Sequence, residues 1–335
     1  MKIGIFFPNW IGDAVMALPF LDQCRKEHEK DKIIAIVRKW VSPIFESNPL
    51  IDQLFTIETN EDNSFAGATK VGKRLKNFDF DKIYILTRSM RSAYIAWLSN
   101  AKERIGYSGE LRSLFLTDPY SQYSLRIHRS RYYLNLINKE LFDISERSIY
   151  LRKSEISNAK RNLDVLDLKS PIAIFPGSVA ASRQLPKSLL HRIVELGLNA
   201  NNDIILMGGK QEIAIADELV TEFKSKYIKS VCGNLTLRET IALIHLCSGA
   251  IGADSGLGHI AANLGLPMLS LFGAGDPEKT APIGNVTDIV SEKVYCSPCN
   301  KNFCHNKMDP LLCLYSMSPE KIWNSYLELL KKINN

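Results

Sequence analysis

The sequence predicts an α/β protein made of two Rossmann-like, doubly wound domains. Three observations carry this expectation. A length of 335 residues suits two domains better than one core. Apolar runs of strand length alternate with amphipathic stretches of helix length. The alternation then starts afresh in mid-chain, so that IGIFFPNWIGD near the N-terminus and IAIFPGSVAAS after residue 171 both read as strand, loop, helix. The expected boundaries are an N-terminal domain over 1–165, a C-terminal domain over 166–317 and a closing helix over 318–335. The domains should face a cleft, with ligands at the C-terminal ends of the strands.

The first strand spans residues 2–7 and is almost continuously apolar, as suits a parallel strand covered on both faces. The loop Pro8-Asn9-Trp10-Ile11-Gly12 follows, and a helix begins near Asp13 with Val15, Leu18, Phe20 and Leu21 in the core. Strands over 33–37, 53–57 and 82–86 alternate with helices over 41–47 and 65–76. Between 106 and 169 the pattern thins, leaving helices over 131–141 and 155–166. From Pro171 it resumes with strands over 171–175, 203–207, 227–231, 250–253 and 267–272. The helices between them cover 187–198, 212–224, 237–247 and 257–264. Thr236 and Glu239 form a capping box for the third of these, and an amphipathic helix over 319–333 closes the chain.

Composition excludes several classes. With 45% hydrophobic and 23% charged residues the chain is neither disordered nor fibrous. No apolar run approaches the roughly 18 residues of a membrane span. Pro8, Asn9 and Asp13 interrupt the N-terminal apolar run, so it reads as a buried strand rather than a signal peptide. A cytoplasmic location is expected, where seven cysteines would not form a disulfide framework. The net charge of +6 is concentrated: between residues 82 and 131 nine basic residues face three acidic ones. Such a block fits an anionic partner, or simply a solvated face. Nucleic acid is not the expected partner, since no RNA-binding signature with interleaved aromatics accompanies the block.

Three motifs sit where strands run into helices. In the first, Gly12-Asp13, the carboxylate either complements a helix start or takes a proton from a substrate hydroxyl. The second is FPGSVAASRQLP, residues 175–186. Gly177 allows a tight turn, Ser178 and Ser182 can donate to phosphate oxygens, and Arg183 adds a cation with bidentate geometry. The third is GADSGLGHIAA, residues 252–262. There Asp254 and Ser255 would cap a helix whose first amides, approachable past Gly256 and Gly258, suit a diphosphate. His259 lies one turn further in. Neither a G-x-G-x-x-G nor a Walker fingerprint is present.

Together, D-S-G-x-x-H-x-A-A after a strand, P-G-S in mid-chain and W-x-G-D near the N-terminus resemble the ADP-heptose:lipopolysaccharide heptosyltransferases, glycosyltransferase family 9. The segments LFGAGDP (271–277) and TAP (280–282) resemble the family too. The likeness runs over nearly the whole chain and is nearer to the second heptosyltransferase than to the first. It implies a GT-B fold, with the acceptor on the N-domain and the nucleotide sugar on the C-domain. It also implies an inverting transfer of heptose from ADP-heptose to the anionic inner core of lipopolysaccharide, at the inner membrane. By position Asp13 matches the catalytic base. Arg183 stands where a phosphate-contacting Lys is usual, and Leu185 where Trp is common. Glu212 matches an acidic residue associated with the donor nucleoside. Asp254, Ser255, Gly256 and His259 match the diphosphate segment, joined on the donor side by Gly177, Ser178 and Ser182. Gly12, Arg88, Ser89 and Arg91 resemble the part that faces the acidic acceptor.

No cofactor is implied as a requirement, and a monomer peripheral to the inner membrane is expected. Cys296, Cys299, Cys304 and Cys313, with a C-x-x-C pair among them, offer a structural zinc as an option, with free thiols as the alternative. Cys24, Cys232 and Cys247 read as core residues. Two other readings remain open at this stage: a family 9 enzyme with a different nucleotide sugar, and a non-catalytic nucleotide-sugar-binding protein.

Overall fold

The aliphatic runs form two six-stranded parallel sheets in the computed structural model, which describes residues 1–109, 111–121, 127–138 and 148–332. The chain divides into two units, Met1–Tyr150 and Leu151–Asn335.

In the first unit the elements are β1 (Lys2–Phe6), α1 (Ile11–Met16), α2 (Leu18–Glu27), β2 (Lys32–Arg38), β3 (Gln53–Ile57) and α3 (Phe65–Lys76). They continue with β4 (Lys82–Ile85), α4 (Met90–Leu98), β5 (Glu103–Tyr107), β6 (Asp118–Tyr120) and α5 (Arg129–Leu134). The sheet order is β3-β2-β1-β4-β5-β6, with Gly4 opposite Ile34 and Ile83. On one face Phe6, Ile34, Ile36, Ile83 and Ile85 pack with Val71 and Leu75 of α3 and Ala93, Ile95 and Ala96 of α4. Val15, Leu18, Phe20 and Leu21 are buried as expected.

Several expectations give way here. The helix begins at Ile11 rather than near Asp13 and breaks after Met16. Pro19, the second residue of α2, has no N–H to continue the ladder. The helix expected over 41–47 is only a 3-10 turn, Ser42–Ile44, containing Pro43 and followed by Ser47 in left-handed conformation at φ 61°. The helix expected over 131–141 runs from Arg129 to Leu134, with a 3-10 turn Asn135–Ile137 behind it; residues 139–141 lie outside the described residues. α4, β5 and β6 were not foreseen.

The second unit contains α6 (Lys153–Leu166), β7 (Ile172–Phe175), α7 (Lys187–Asn199), β8 (Ile204–Leu206), α8 (Ile213–Phe223), β9 (Ile228–Ser230) and α9 (Leu237–Ile244). It ends with β10 (Gly249–Ala253), α10 (Gly256–Asn263), β11 (Met268–Phe272), α11 (Pro277–Thr280), β12 (Thr287–Ser291), α12 (Leu312–Tyr315) and α13 (Pro319–Lys331). Its order, β12-β11-β10-β7-β8-β9, is that of the first sheet read from the other edge. The Thr236–Glu239 capping box opens α9. α6, read from sequence as a lead-in to the second domain although the expected boundary at 165 cut through it, belongs here: the unit starts at Leu151, and Glu155 takes a bidentate pair of 2.8 Å bonds from Arg238 of α9. The closing helix is likewise part of this unit: Ile322, Trp323, Tyr326 and Leu329 of α13 are built into its core. No helix among the described residues is long and apolar enough to cross a membrane.

Candidate active site

In both units the strand order reverses direction beside the first strand, between β1 and β4 and between β7 and β10. Crevices outside the carboxyl ends of strands at such switch points are where doubly wound sheets bind ligands. The sequence motifs lie on those four loops.

In the first unit Trp40 Nε1 donates to the Asn9 carbonyl at 2.6 Å, fixing the loop after β1. Trp10 takes the N-cap position of α1 without a side-chain capping bond, Gly12 is the second helical residue and Asp13 the third. The Asp13 carboxylate meets two groups from α5. Its Oδ1 lies 3.4 Å from the Tyr133 hydroxyl, which donates to it, and 3.5 Å from Arg129 Nε, while 27% of the side chain stays exposed. Burial and the Asp13 charge push the Tyr133 hydroxyl well above its ordinary 10, so the phenol keeps its proton. Sequence reasoning missed Tyr133 and counted Arg129 only as bulk charge.

The loop after β4 carries Arg88, Ser89 and Arg91. Ser89 caps α4, its Oγ accepting from Ser92 N at 3.2 Å. Arg88 and Arg91 are exposed, and Arg91 reaches the Asn63 carbonyl at 3.4 Å. The rest of the basic block does not act as one field. Lys82 pairs with Glu103 and Lys102 with Asp81. Arg104 donates to the carbonyls of Phe115 and Ala101. Arg112 is buried and donates to the Thr87 carbonyl at 2.7 Å. Arg126 lies outside the described residues.

In the second unit the loops after β7 and β10 meet through an ion pair. Arg183 Nη1 stands 3.1 Å from Oδ2 of Asp254, which is only 4% exposed. A carboxylate cannot donate to phosphate, so this geometry makes Asp254 the residue that positions Arg183. Gly275, on the loop after β11, lies against it: a Cβ there would stand 2.1 Å from Asp254 Oδ2. Ser255 occupies the N-cap position of α10, yet its hydroxyl makes no capping bond, contrary to expectation. That buried hydroxyl and Arg183 Nε lack partners among the described residues. Two buried donors and a helix N-terminus without a side-chain cap thus lie on the two loops that the Arg183–Asp254 pair joins, and groups of this kind suit an anion. His259 is buried one turn inside α10.

Ser178 is partly exposed on the β7 loop. Ser182 differs from expectation: its hydroxyl donates to the Lys301 carbonyl and its amide to the Asn302 carbonyl, so both donors serve the protein. Glu212 is buried and accepts from the Gly209 amide at 2.8 Å. A Cβ on Gly177 would come within 2.4 Å of its Oε1, so that glycine lets the loops after β7 and β8 close on each other.

The segment 296–304 is tied to the same region, the Asn300 amide donating to the Ala274 carbonyl at 2.8 Å. The Asn306 side-chain amide donates to Cys296 Sγ at 3.7 Å, and the Cys304 thiol donates to the Asn306 backbone carbonyl at 3.8 Å. Among the described residues no group of three His, Cys, Asp or Glu side chains is disposed to hold a metal ion.

These switch-point loops sit on a doubled Rossmann-like chain, and the family match makes its class a glycosyltransferase. The chain belongs to glycosyltransferase family 9 (heptosyltransferase), whose profile matches residues 68–309. More particularly, it is 25% identical over 311 residues to the lipooligosaccharide heptosyltransferase 2 of Haemophilus ducreyi, covering 87% of this chain and 88% of that one. It is 26% identical over 339 residues to the lipooligosaccharide heptosyltransferase 2 of Campylobacter jejuni serotype O:2, covering 99% of each. In structure it is similar to the ADP-heptose lps heptosyltransferase II of E. coli, with a TM-score of 0.84, 18% identity and all of both chains covered. The expected GT-B fold is thereby met.

Proposed function

We propose that this enzyme transfers heptose from ADP-heptose to an anionic lipopolysaccharide inner-core acceptor, with inversion, in a single displacement. The observation that carries the reading is the part-exposed Asp13 carboxylate at the first switch point, engaged by a guanidinium and a phenol instead of by a helix cap. As an acceptor hydroxyl oxygen bonds to the anomeric carbon, its proton passes to Asp13. The bond from that carbon to the ADP β-phosphate oxygen breaks, and the electron pair leaves with ADP. Arg183, oriented by Asp254, and the amides opening α10 offset the growing charge on the diphosphate. Ser178, Ser255, Gly256 and His259 line the donor side in this reading, and Glu212 stands toward the nucleoside. Gly12, Arg88, Ser89 and Arg91 receive the acceptor, the two arginines matching its carboxylates and phosphates.

The names of the relatives support heptose and lipopolysaccharide as the substrate classes. The reading also holds that the protein works as a monomer in the cytoplasm, peripheral to the inner membrane, with no cofactor. A donor screen tests it. ADP-heptose should turn over with a lipopolysaccharide inner-core acceptor, and UDP-, GDP- and ADP-hexoses should not. Turnover with a hexose donor alone would make this a family 9 enzyme with another sugar. Binding without turnover of any donor would make it a recognition protein.

A further inference from the structure

The first unit presents an apolar surface that the chemistry above does not use. Met90, Tyr94 and Trp97 follow one another at helical spacing along α4, opposite its buried face of Ser92, Ala93, Ile95 and Ala96. Phe65 of α3 stacks on Tyr94 at 4.6 Å, and Phe115 packs against Tyr94 and Trp97 at 5.4 and 5.7 Å. Beside them Leu111 and Leu114 belong to one turn, the Leu114 amide donating to the Leu111 carbonyl at 3.3 Å. Exposure is high: 74% for Phe65, 75% for Leu111, 78% for Leu114 and 45% for Trp97. Folded monomers seldom leave so many large apolar side chains together in water.

The turn is also held in place at some cost. Leu111 has φ 60°, a left-handed conformation that disfavours a leucine. Arg112, next in the chain, is buried and anchors the turn to the Thr87 carbonyl. The helices of this face carry exposed cations and no acid: Lys70, Lys73 and Lys76 on α3 and Arg91 on α4. Of the acids just ahead of α3, Glu61 is paired with Arg74 and Asp62 with Arg38.

Aromatic rings and leucines flanked by lysines match the boundary between lipid headgroups and acyl chains. We infer that this face docks on an anionic phospholipid bilayer, with Phe65, Trp97, Leu111 and Leu114 entering the interface and Lys70 and Lys73 meeting the headgroups. The inference rests on the proposed function, in which the acceptor is a membrane lipid.

The test is co-sedimentation with vesicles of phosphatidylcholine, alone or containing phosphatidylglycerol. The wild type should pellet with the anionic vesicles, less so in high salt. The double variant Leu111→Ser/Leu114→Ser should lose about tenfold in partitioning while keeping its thermal melt. Lys70→Glu/Lys73→Glu should lose about tenfold on anionic vesicles only. With an acceptor embedded in the vesicles the leucine variant should show a raised KM, and with a deacylated acceptor an unchanged one. Equal vesicle binding by wild type and variants, or none by the wild type, would overturn the inference. So would a wild-type dimer in sedimentation equilibrium that the leucine variant abolishes, since a second copy would then cover the face. Vesicle binding that responds as expected in a protein with no transferase activity would instead sink the functional reading and leave the docking face standing.

Discussion

Asp13 and its two neighbours set the expected effects of single substitutions. Asp13→Ala and Asp13→Asn should both lower turnover by roughly 10²–10⁴, the range for a missing general base, with the melt and ADP binding preserved. Tyr133→Phe removes only the donor at 3.4 Å, so a loss of about fivefold is expected, the worth of one modest hydrogen bond. Near-normal kcat in both Asp13 variants would return this residue to a helix-start role. On the donor side Arg183→Ala should weaken ADP binding by calorimetry about tenfold or more. It should also lower the melting temperature, because it leaves the buried Asp254 carboxylate without its guanidinium. Arg183→Lys should recover part of both; a melt unchanged in Arg183→Ala would show that the pair adds no stability. Asp13 and the Asp254 loop were legible because each follows a strand and carries glycine beside a carboxylate. Tyr133 was not: it lies 120 residues from Asp13, and only the closed fold brings them together.

At the scale of elements, the central strands could be read because both their faces are covered, which leaves uninterrupted runs such as Ile33–Val37. The strands that escaped notice are edge or near-edge ones. β12 is mostly exposed and mixes Thr, Asp and Ser with its aliphatics, and β6 is only three residues long. α4 was missed for the opposite reason: its outward face is aromatic, so no polar stripe marks it as amphipathic. The junction of α6 with α9 makes a prediction at this scale. The Arg238 guanidinium holds the Glu155 carboxyl below its ordinary 4.5. A carboxylate with a lowered folded value adds stability that is full above its unfolded value and fades as pH falls through the folded one. Denaturant titrations should therefore show Glu155→Gln less stable than wild type by about 1–3 kcal/mol at pH 7. The difference should shrink below pH 4.5 and vanish in stronger acid. A gap that does not change with pH would mean the pair's charge contributes nothing.

For the whole molecule, composition overstated one property and pattern captured another. The charge excess between residues 82 and 131 suggested one basic surface, but folding pairs or buries much of it, Arg112 in the core being the extreme case. Linear charge counts cannot see which cations find partners. The cysteines divide as their environments dictate. Burial pushes the thiols of Cys24, Cys232 and Cys247 up to about 12, and burial with the neighbouring thiols raises Cys313. A thiol-disulfide reagent at pH 8 should accordingly react quickly with Cys296, Cys299 and Cys304 and reach the other four of the seven only after unfolding. Fast reaction of a fourth thiol in the native protein would contradict this burial pattern.

The boundary at Tyr150 has a consequence for how the protein is made. Every strand of the first sheet lies before it, and the innermost strand, β1, is the first to leave the ribosome. β2 and β3 can extend the sheet on one side, and β4, β5 and β6 on the other, in the order of translation. Among the described residues no strand of that sheet comes from the second unit. Its apolar surface can be covered while Leu151 and the residues after it are still being synthesised, which shortens the time a nascent chain offers bare strand edges to its neighbours.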